Sequence, residues 1–154
     1  TYCHLPIHGF SNVQDLEIEL NKVCTELDPI LPFNNLTKLK VSSVNSNWRL
    51  LLRFFNHCRN LRTLELNEEE RDFVSNDWVE PEEVPYCIHS VLTNCTFDHF
   101  LGEIGEKECV MYLLKHAKAL NSMAIRCSHG TKVEDLISCY KGAGCELRVI
   151  RRYN

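Results

Sequence analysis

The sequence lacks the features of several protein classes. It has no run approaching the ~18 apolar residues of a membrane span, and no signal-peptide pattern opens it. A net charge of −4 argues against a general nucleic-acid binder, which needs a basic face. Glycine-rich phosphate loops, zincin motifs and nucleophile elbows are also missing. We therefore expect no membrane partner, no nucleic-acid partner, no cofactor and no enzymatic activity.

Cysteine is abundant, but it is not arranged for disulfide bonds. The nine cysteines are an odd number and are scattered singly along the chain. No two of them have C-x-x-C spacing. Cys95 falls on an inward position of a predicted strand, and Cys109 lies near the apolar side of a predicted helix. This pattern is typical of free thiols that act as small hydrophobic side chains. It favours a reducing, intracellular compartment, either cytoplasm or nucleus.

Three weaker patterns would indicate a secreted protein, a thiol enzyme and a zinc protein, respectively. Glycosylation sequons at Asn35 and Asn94 would suit a secreted protein. The adjacent pair His57-Cys58 could suggest a thiol nucleophile, but no third group orients it. A zinc site would need four ligands without the usual C-x-x-C spacing, from Cys127, His129, Cys139 and Cys145.

A short apolar frame recurs along the whole chain. In "CRNLRTLEL" leucines stand at positions 61, 64 and 66, and this L-x-x-L-x-L spacing recurs with a partial last copy. The middle residues of the six copies are Leu16, Leu39, Leu64, Cys95, Met123 and Leu147. They are 23, 25, 31, 28 and 24 residues apart, close to the leucine-rich-repeat period of roughly 20–29. The sequence predicts an α/β leucine-rich-repeat solenoid of about six irregular repeats.

The segments between these frames alternate between helical and irregular patterns. Apolar residues at i, i+3, i+4 and i+7 predict amphipathic helices in "WRLLLRFFNHC", "EKECVMYLLKHAKAL" and "TKVEDLISCY". Thr131 followed by Glu134 predicts a capping box for the last of them. Residues 67–85 are acidic and contain Pro81 and Pro85, which disfavour a regular helix. We predict a long irregular connection there, at the boundary between two halves.

Polar residues between the inward strand positions form the predicted partner-binding surface. Alternate side chains of a strand point to opposite faces, so these residues share one face, here called the concave face. The candidate contact residues are Asp15, Glu17, Glu19, Lys38, Lys40, Glu65, Asn67, Asp98, Arg126 and Arg148. Three carboxylates on the first strand would repel one another, and a basic partner segment would relieve this. A solvated face with incidental charges is the alternative, and the loops around Trp78 and Tyr86 are the alternative interface.

Beyond residue 77 the chain resembles a known family. Spaced residues of one short segment carry the resemblance: Trp78, Pro81, Val84, Pro85, Cys87 and Ile88. They resemble the motif W-x-x-P-x-x-V-P-x-C-L that opens the C-terminal region of plant F-box proteins of the FBD and leucine-rich-repeat type. The resemblance continues through Leu92, Phe100 and Gly102, then through "ECVMYLLKHAKALNSMAI" up to Ile125, with Cys95 and Phe97 replacing branched aliphatic residues. It divides the chain into leucine-rich repeats, 1–77, and an FBD-type region, 78–154, that continues and caps the solenoid.

This resemblance implies the substrate-recognition part of a Skp–cullin–F-box ubiquitin ligase, which binds a target protein and does not catalyse. Because the chain shows no F-box and starts at Thr1, we expect a fragment. A Skp-type adaptor and cullin would be reached only through the F-box that is missing here. Two alternatives remain open: a stand-alone interaction or decoy module without a ligase role, and a small-molecule, hormone-like receptor.

Overall fold

The computed structural model describes residues 12–22, 32–45, 47–68, 76–140 and 144–152. Its strands are β1 (Asp15–Glu19), β2 (Lys38–Ser42), β3 (Thr63–Asn67), β4 (Asn94–Phe100), β5 (Ser122–Cys127) and β6 (Glu146–Arg151). Its helices are α1 (Trp48–Phe55), α2 (Tyr86–Ser90), α3 (Ile104–His116) and α4 (Glu134–Tyr140), with a 3-10 turn at Leu20–Lys22. None of the helices in these ranges combines the length and the apolar character that a membrane span requires.

The six strands form one parallel sheet whose strand order is the order of the chain. Each strand pairs with the next in sequence, and the six middle residues of the repeat frame lie in register across the sheet. This row runs Leu16, Leu39, Leu64, Cys95, Met123 and Leu147. The predicted α/β leucine-rich-repeat solenoid is therefore confirmed.

A backbone ladder joins the turns that precede the strands. The amide of Thr37 donates to the carbonyl of Gln14 at 2.9 Å, and that of Arg62 donates to Thr37 at 2.8 Å. The same bond links the later turns, at 2.8–2.9 Å, through Thr93, Asn121 and Glu146. Because a backbone amide of every turn donates to a carbonyl of the turn before it, the first residues of the strands are held in register.

The core lies between the sheet and the helices. Leu64 and Leu66 of β3 are almost fully buried, as their inward positions predict. Trp48 and Leu51 of α1 are buried in the same cluster, and so is Val110 of α3. The free thiols Cys95 and Cys109 also lie in this cluster, confirming that they act as small apolar side chains.

Helix capping differs from the prediction. Helix α4 begins at Glu134, which a capping box from Thr131 would have placed one turn inside the helix, so that prediction is wrong. The box forms instead at α3, where the side chain of Glu103 accepts from the backbone and Glu106 reaches back to the amide of Glu103. Glutamate is not a preferred N-cap residue, so sequence reasoning passed over it.

The acidic connection is partly packed onto the solenoid. Its residues 69–75 lie outside the described ranges. Beyond them, the carboxylate of Asp77 accepts from the amide of Trp48 at 2.8 Å and from that of Arg49 at 3.2 Å, which caps α1 from a distant part of the chain. The ring of Trp78 lies between those of Trp48 and Tyr112, with centroids 5.8 and 5.7 Å away. Trp78 is therefore a packing residue.

Candidate protein-binding surface

The ten predicted contact residues lie on one face of the sheet, in three rows that run across the strands. The first row is Asp15, Lys38, Thr63, Asn94, Ser122 and Glu146, and the second is Glu17, Lys40, Glu65, Thr96, Ala124 and Arg148. The third is Glu19, Ser42, Asn67, Asp98, Arg126 and Ile150, with an irregularity between Asp98 and Arg126. The rows juxtapose side chains from six repeats.

Charges in the second row are already paired within the sheet. The ammonium Nζ of Lys40 lies 3.3 Å from an oxygen of Glu17 and 3.3 Å from an oxygen of Glu65. Hydrogen bonds to Glu17 and then to Glu65 raise the pKa of Lys40. Lys40 of β2 thus offsets part of the repulsion expected among the β1 carboxylates. Glu17, Lys40 and Glu65 together carry one net negative charge.

Strand β4 contains a bulge. Phe97 pairs with Ile125 and Phe100 with Cys127, so Asp98 and His99 together oppose one residue of β5. His99 has a φ of +54°, in the left-handed region that few residues other than glycine adopt. Phe97 and Phe100 both stay in the core with their rings edge to face, 6.0 Å apart. The extra residue therefore projects on the concave face without disturbing the core.

The bulge organises the third row. The ring nitrogen Nδ1 of His99 lies 2.8 Å from the side-chain oxygen of Asn67. The carboxylate of Asp98 accepts from the amide of His99 at 3.0 Å, and its other oxygen lies 3.8 Å from Nη1 of Arg126. Asn67 is only 7% exposed. A partner on this face would therefore meet His99 rather than Asn67, a contact that the repeat frame did not indicate.

A groove of about 660 Å³ lies beyond the carboxyl ends of β4 and β5. Asp98 and Arg126 belong both to this groove and to the concave face. The other lining residues are His99, Phe100, Leu101, Gly102, Lys107, Cys127, Ser128, Gly130, Thr131, Lys132 and Arg152. We call it the basic groove. Sequence reasoning missed it, although Gly102 and Gly130 mark the two loops that form it and lysines follow both.

The loop after β5 is fixed from beneath by one arginine. Nη1 of Arg151 donates to the carbonyl oxygens of Thr131 at 2.6 Å, Ser128 at 2.8 Å and His129 at 3.3 Å. It also lies 3.7 Å from the sulfur of Cys127. One guanidinium group on β6 thus holds the loop that forms one wall of the basic groove.

The six thiols that the structure describes show no sign of activation. Six cysteines are free and buried in the described ranges, whereas Cys3, Cys24 and the side chain of Cys139 fall outside them. Burial raises the pKa of Cys58 and of Cys87 to about 12, so neither is a thiolate at neutral pH. In the same ranges, no group of three or more His, Cys, Asp or Glu side chains could hold a metal ion.

The comparisons with known proteins agree with the resemblance read from the sequence. Residues 80–125 match the family model FBD. A putative FBD-associated F-box protein of Arabidopsis thaliana is 32% identical over 115 residues, covering 64% of this chain and 26% of the relative. An FBD-associated F-box protein of the same plant is 31% identical over 124 residues, covering 75% and 30%. An F-box/FBD/LRR-repeat protein is 28% identical over 119 residues, covering 73% and 26%.

The chain belongs to the plant FBD-associated F-box family. It spans between a quarter and a third of the length of these curated relatives. No solved structure gives a significant match to it.

The FBD match supplies part of the sheet that the preceding repeats begin. Residues 80–125 contain α2, β4, α3 and most of β5. Strand β4 pairs with β3 over five residues, from Thr63 and Asn94 to Asn67 and Asp98. The FBD region therefore contributes the bulge and one wall of the basic groove to a surface that also includes strands from outside the match.

Proposed function

We propose that this chain is the substrate-recognition part of an F-box subunit of a Skp–cullin–F-box ubiquitin ligase. The observation that carries the proposal is the continuity of the FBD strand β4 with the repeat strand β3, in a protein of the F-box family. A target protein would lie across the three rows of the concave face. The proposed action is positioning: binding raises the effective concentration of target lysines near the charged conjugating enzyme.

The remaining subunits would be reached through another part of the parent protein. A Skp-type adaptor would bind an F-box, and a cullin would be reached only through that F-box and its adaptor; these 154 residues contain no F-box. On this proposal the chain itself transfers no ubiquitin, and it acts inside the cell, in cytoplasm or nucleus. The relatives carry F-box names and none is named as an enzyme. A stand-alone interaction module without a ligase role is the second candidate, since the surface could bind a target without an adaptor.

Charge reversal on the concave face tests the proposal. Reversing Glu17, Glu19 and Glu65 to lysine should leave the fold nearly intact, because exposed ion pairs contribute only about 0–1 kcal/mol. Capture of the target by the parent protein from plant extract should fall, and association should slow most at low salt. Reversing Glu80, Glu82 and Glu108, which are exposed and off this face, is the matched control.

Two outcomes decide between the candidates. Recovery of a Skp-type adaptor together with a target that the concave-face variant loses would support the ligase proposal. Recovery of the target without any adaptor would favour the stand-alone module. If only the control variant lost the target, the interface would lie at the loops around Trp78 and Tyr86, where Tyr86 is 52% exposed with Arg59 4.4 Å over its ring.

A further inference from the structure

The basic groove concentrates positive charge in an acidic protein. Four cationic side chains line it, those of Lys107, Arg126, Lys132 and Arg152, against the single carboxylate of Asp98. The whole chain has a net charge of −4. Because the rest of the protein is acidic, this local excess of cations creates a positive potential that attracts anions to one place on the surface.

These cations are incompletely paired. The contact between Arg126 Nη1 and Asp98 is 3.8 Å, too long for a hydrogen bond. Nε of Arg126 is buried and has no hydrogen-bond partner. Lys107 lies 3.4 Å from Asp135, whereas Lys132 and Arg152 have no ion pair within the described part of the chain. The side chain of Arg126 is 30% exposed, so its exposed terminal NH groups, together with those of Lys132 and Arg152, can donate to the oxygens of a bound anion.

The groove is formed in advance by rigid local structure. The bulge of β4 places Asp98 and His99 at its rim. Gly102 has a φ of +81°, and a Cβ there would lie 3.5 Å from Thr131 and 3.7 Å from Lys107, so the two loops approach closely at this point. Arg151 holds the opposite loop through three carbonyl oxygens. Such preorganisation lowers the entropic cost of binding.

We propose that the basic groove is an anion-binding site, which takes a carboxylate or phosphate group from an acidic segment of a partner protein. Its volume of about 660 Å³ lies within the usual range for small-molecule pockets, so it has room for an anionic group together with part of the segment that bears it. A protein segment is the favoured source because Asp98 and Arg126 belong to both the groove and the concave face. A chain crossing the third row would reach the groove directly. The assignment of the anionic group to a partner protein rests on the proposed function, whereas the anion site itself does not.

The test is a titration of the isotope-labelled 154-residue chain, followed by NMR at constant ionic strength. The probes are inorganic phosphate and a blocked tetraglutamate peptide. Both should give saturable shifts at the amides of Gly102, Ser128 and Gly130, and the peptide should bind more tightly because it offers several carboxylates. Lys132→Gln and Arg126→Gln should each weaken binding about tenfold, which corresponds to one charge-assisted hydrogen bond.

A matched control separates a site from general charge attraction. Lys118→Gln removes the same charge from an exposed position in the turn after α3, outside the groove. Equal weakening by Lys118→Gln, or shifts spread over the whole surface, would overturn the proposal. If Arg126→Gln did not fold, as judged by its circular dichroism, the exposed Lys132→Gln would still decide the matter.

Three further outcomes separate the source of the anion, the recognition function and the anion site. Binding of inorganic phosphate but not of the peptide would overturn the partner segment in favour of a small free anion. Anion binding that persisted in a chain unable to capture any target would refute the recognition function and leave the site standing. If the chain bound neither probe, and Lys132→Gln and Arg126→Gln captured the target as well as the unaltered protein does, the anion site alone would be refuted.

Discussion

Glu106, in the first turn of α3, is a buried acidic residue whose pKa departs from its ordinary value. The residue is 2% exposed, and its carboxylate accepts from the amides of Leu101 at 3.1 Å and Glu103 at 2.9 Å. Burial raises its pKa to about 7, against the opposing effect of these two bonds. The nearby carboxylates of Glu68 and Glu103 raise it further.

This shift predicts how stability depends on pH. The folded state holds the proton of Glu106 more tightly than the unfolded state, whose pKa is near 4.5. Its stabilising contribution is complete below about pH 4.5 and is lost as pH rises through 7, roughly 3 kcal/mol in total. Urea unfolding from pH 5 to 8 should show a falling free energy that flattens in Glu106→Gln. Glu108→Gln, exposed on the same helix, should keep the slope, and an unchanged slope in both variants would contradict the prediction.

Gly105 gives a second prediction about a single residue. A Cβ at this position would lie 2.2 Å from Nε1 of Trp48, which is itself fully buried and cannot move freely. We expect Gly105→Ala to lower the free energy of unfolding by roughly 1–3 kcal/mol through overpacking. Gly130→Ala is the control, since its Cβ would meet nothing within 4 Å. Equal midpoints for both variants in urea would show that α3 does not pack this closely on Trp48.

Among the strands and helices, β4 has a bulge that imposes a conformational cost on one of its residues. His99 holds a φ of +54°, a conformation that asparagine tolerates and β-branched residues do not. His99→Val should therefore lower the free energy of unfolding by roughly 1–2 kcal/mol more than His99→Asn. Chemical denaturation of the two variants side by side measures the difference. If both were equally stable, the positive φ would not be maintained in solution.

The strands were predictable because each carries two inward apolar residues at a fixed spacing, as Leu64 and Leu66 do in β3. The bulge was not, because Phe97 and Phe100 are both apolar and nothing in their spacing of three distinguishes a bulge from the end of a strand. The distant cap of α1 by Asp77 could not be predicted either, since it depends on where the acidic connection returns. The basic groove arises from two loops that only the fold brings together.

At the scale of the whole molecule, the question is whether the repeats and the FBD region unfold together. Strands β3 and β4 pair across their boundary, and in a solenoid each repeat is stabilised by its neighbours. The six described free cysteines are buried and extend from Cys58, ahead of β3, to Cys145, ahead of β6, so together they report on both sides of that boundary. We expect their thiols to become reactive together as denaturant is raised.

Pulsed alkylation followed by peptide mass spectrometry measures this for each cysteine. A single cooperative unit predicts the same midpoint for Cys58, ahead of the FBD match, and for Cys95 and Cys127, which lie in the later strands β4 and β5. Two midpoints, with Cys58 separated from the others, would mean that residues 78–154 form an independent domain rather than the continuation and cap that we propose. Chemical denaturation followed by circular dichroism provides the reference curve.

The packing of Trp78 has a spectroscopic consequence. The chain contains only two tryptophans, and their rings are in edge contact with centroids 5.8 Å apart. Intrinsic fluorescence excited at the indole band therefore arises from a single place, where the acidic connection meets α1 and α3. The emission will register solvent entry at that junction and will be nearly blind to fraying of β1 or β6. Emission and far-ultraviolet ellipticity recorded on one sample would thus resolve detachment of the connection from melting of the sheet.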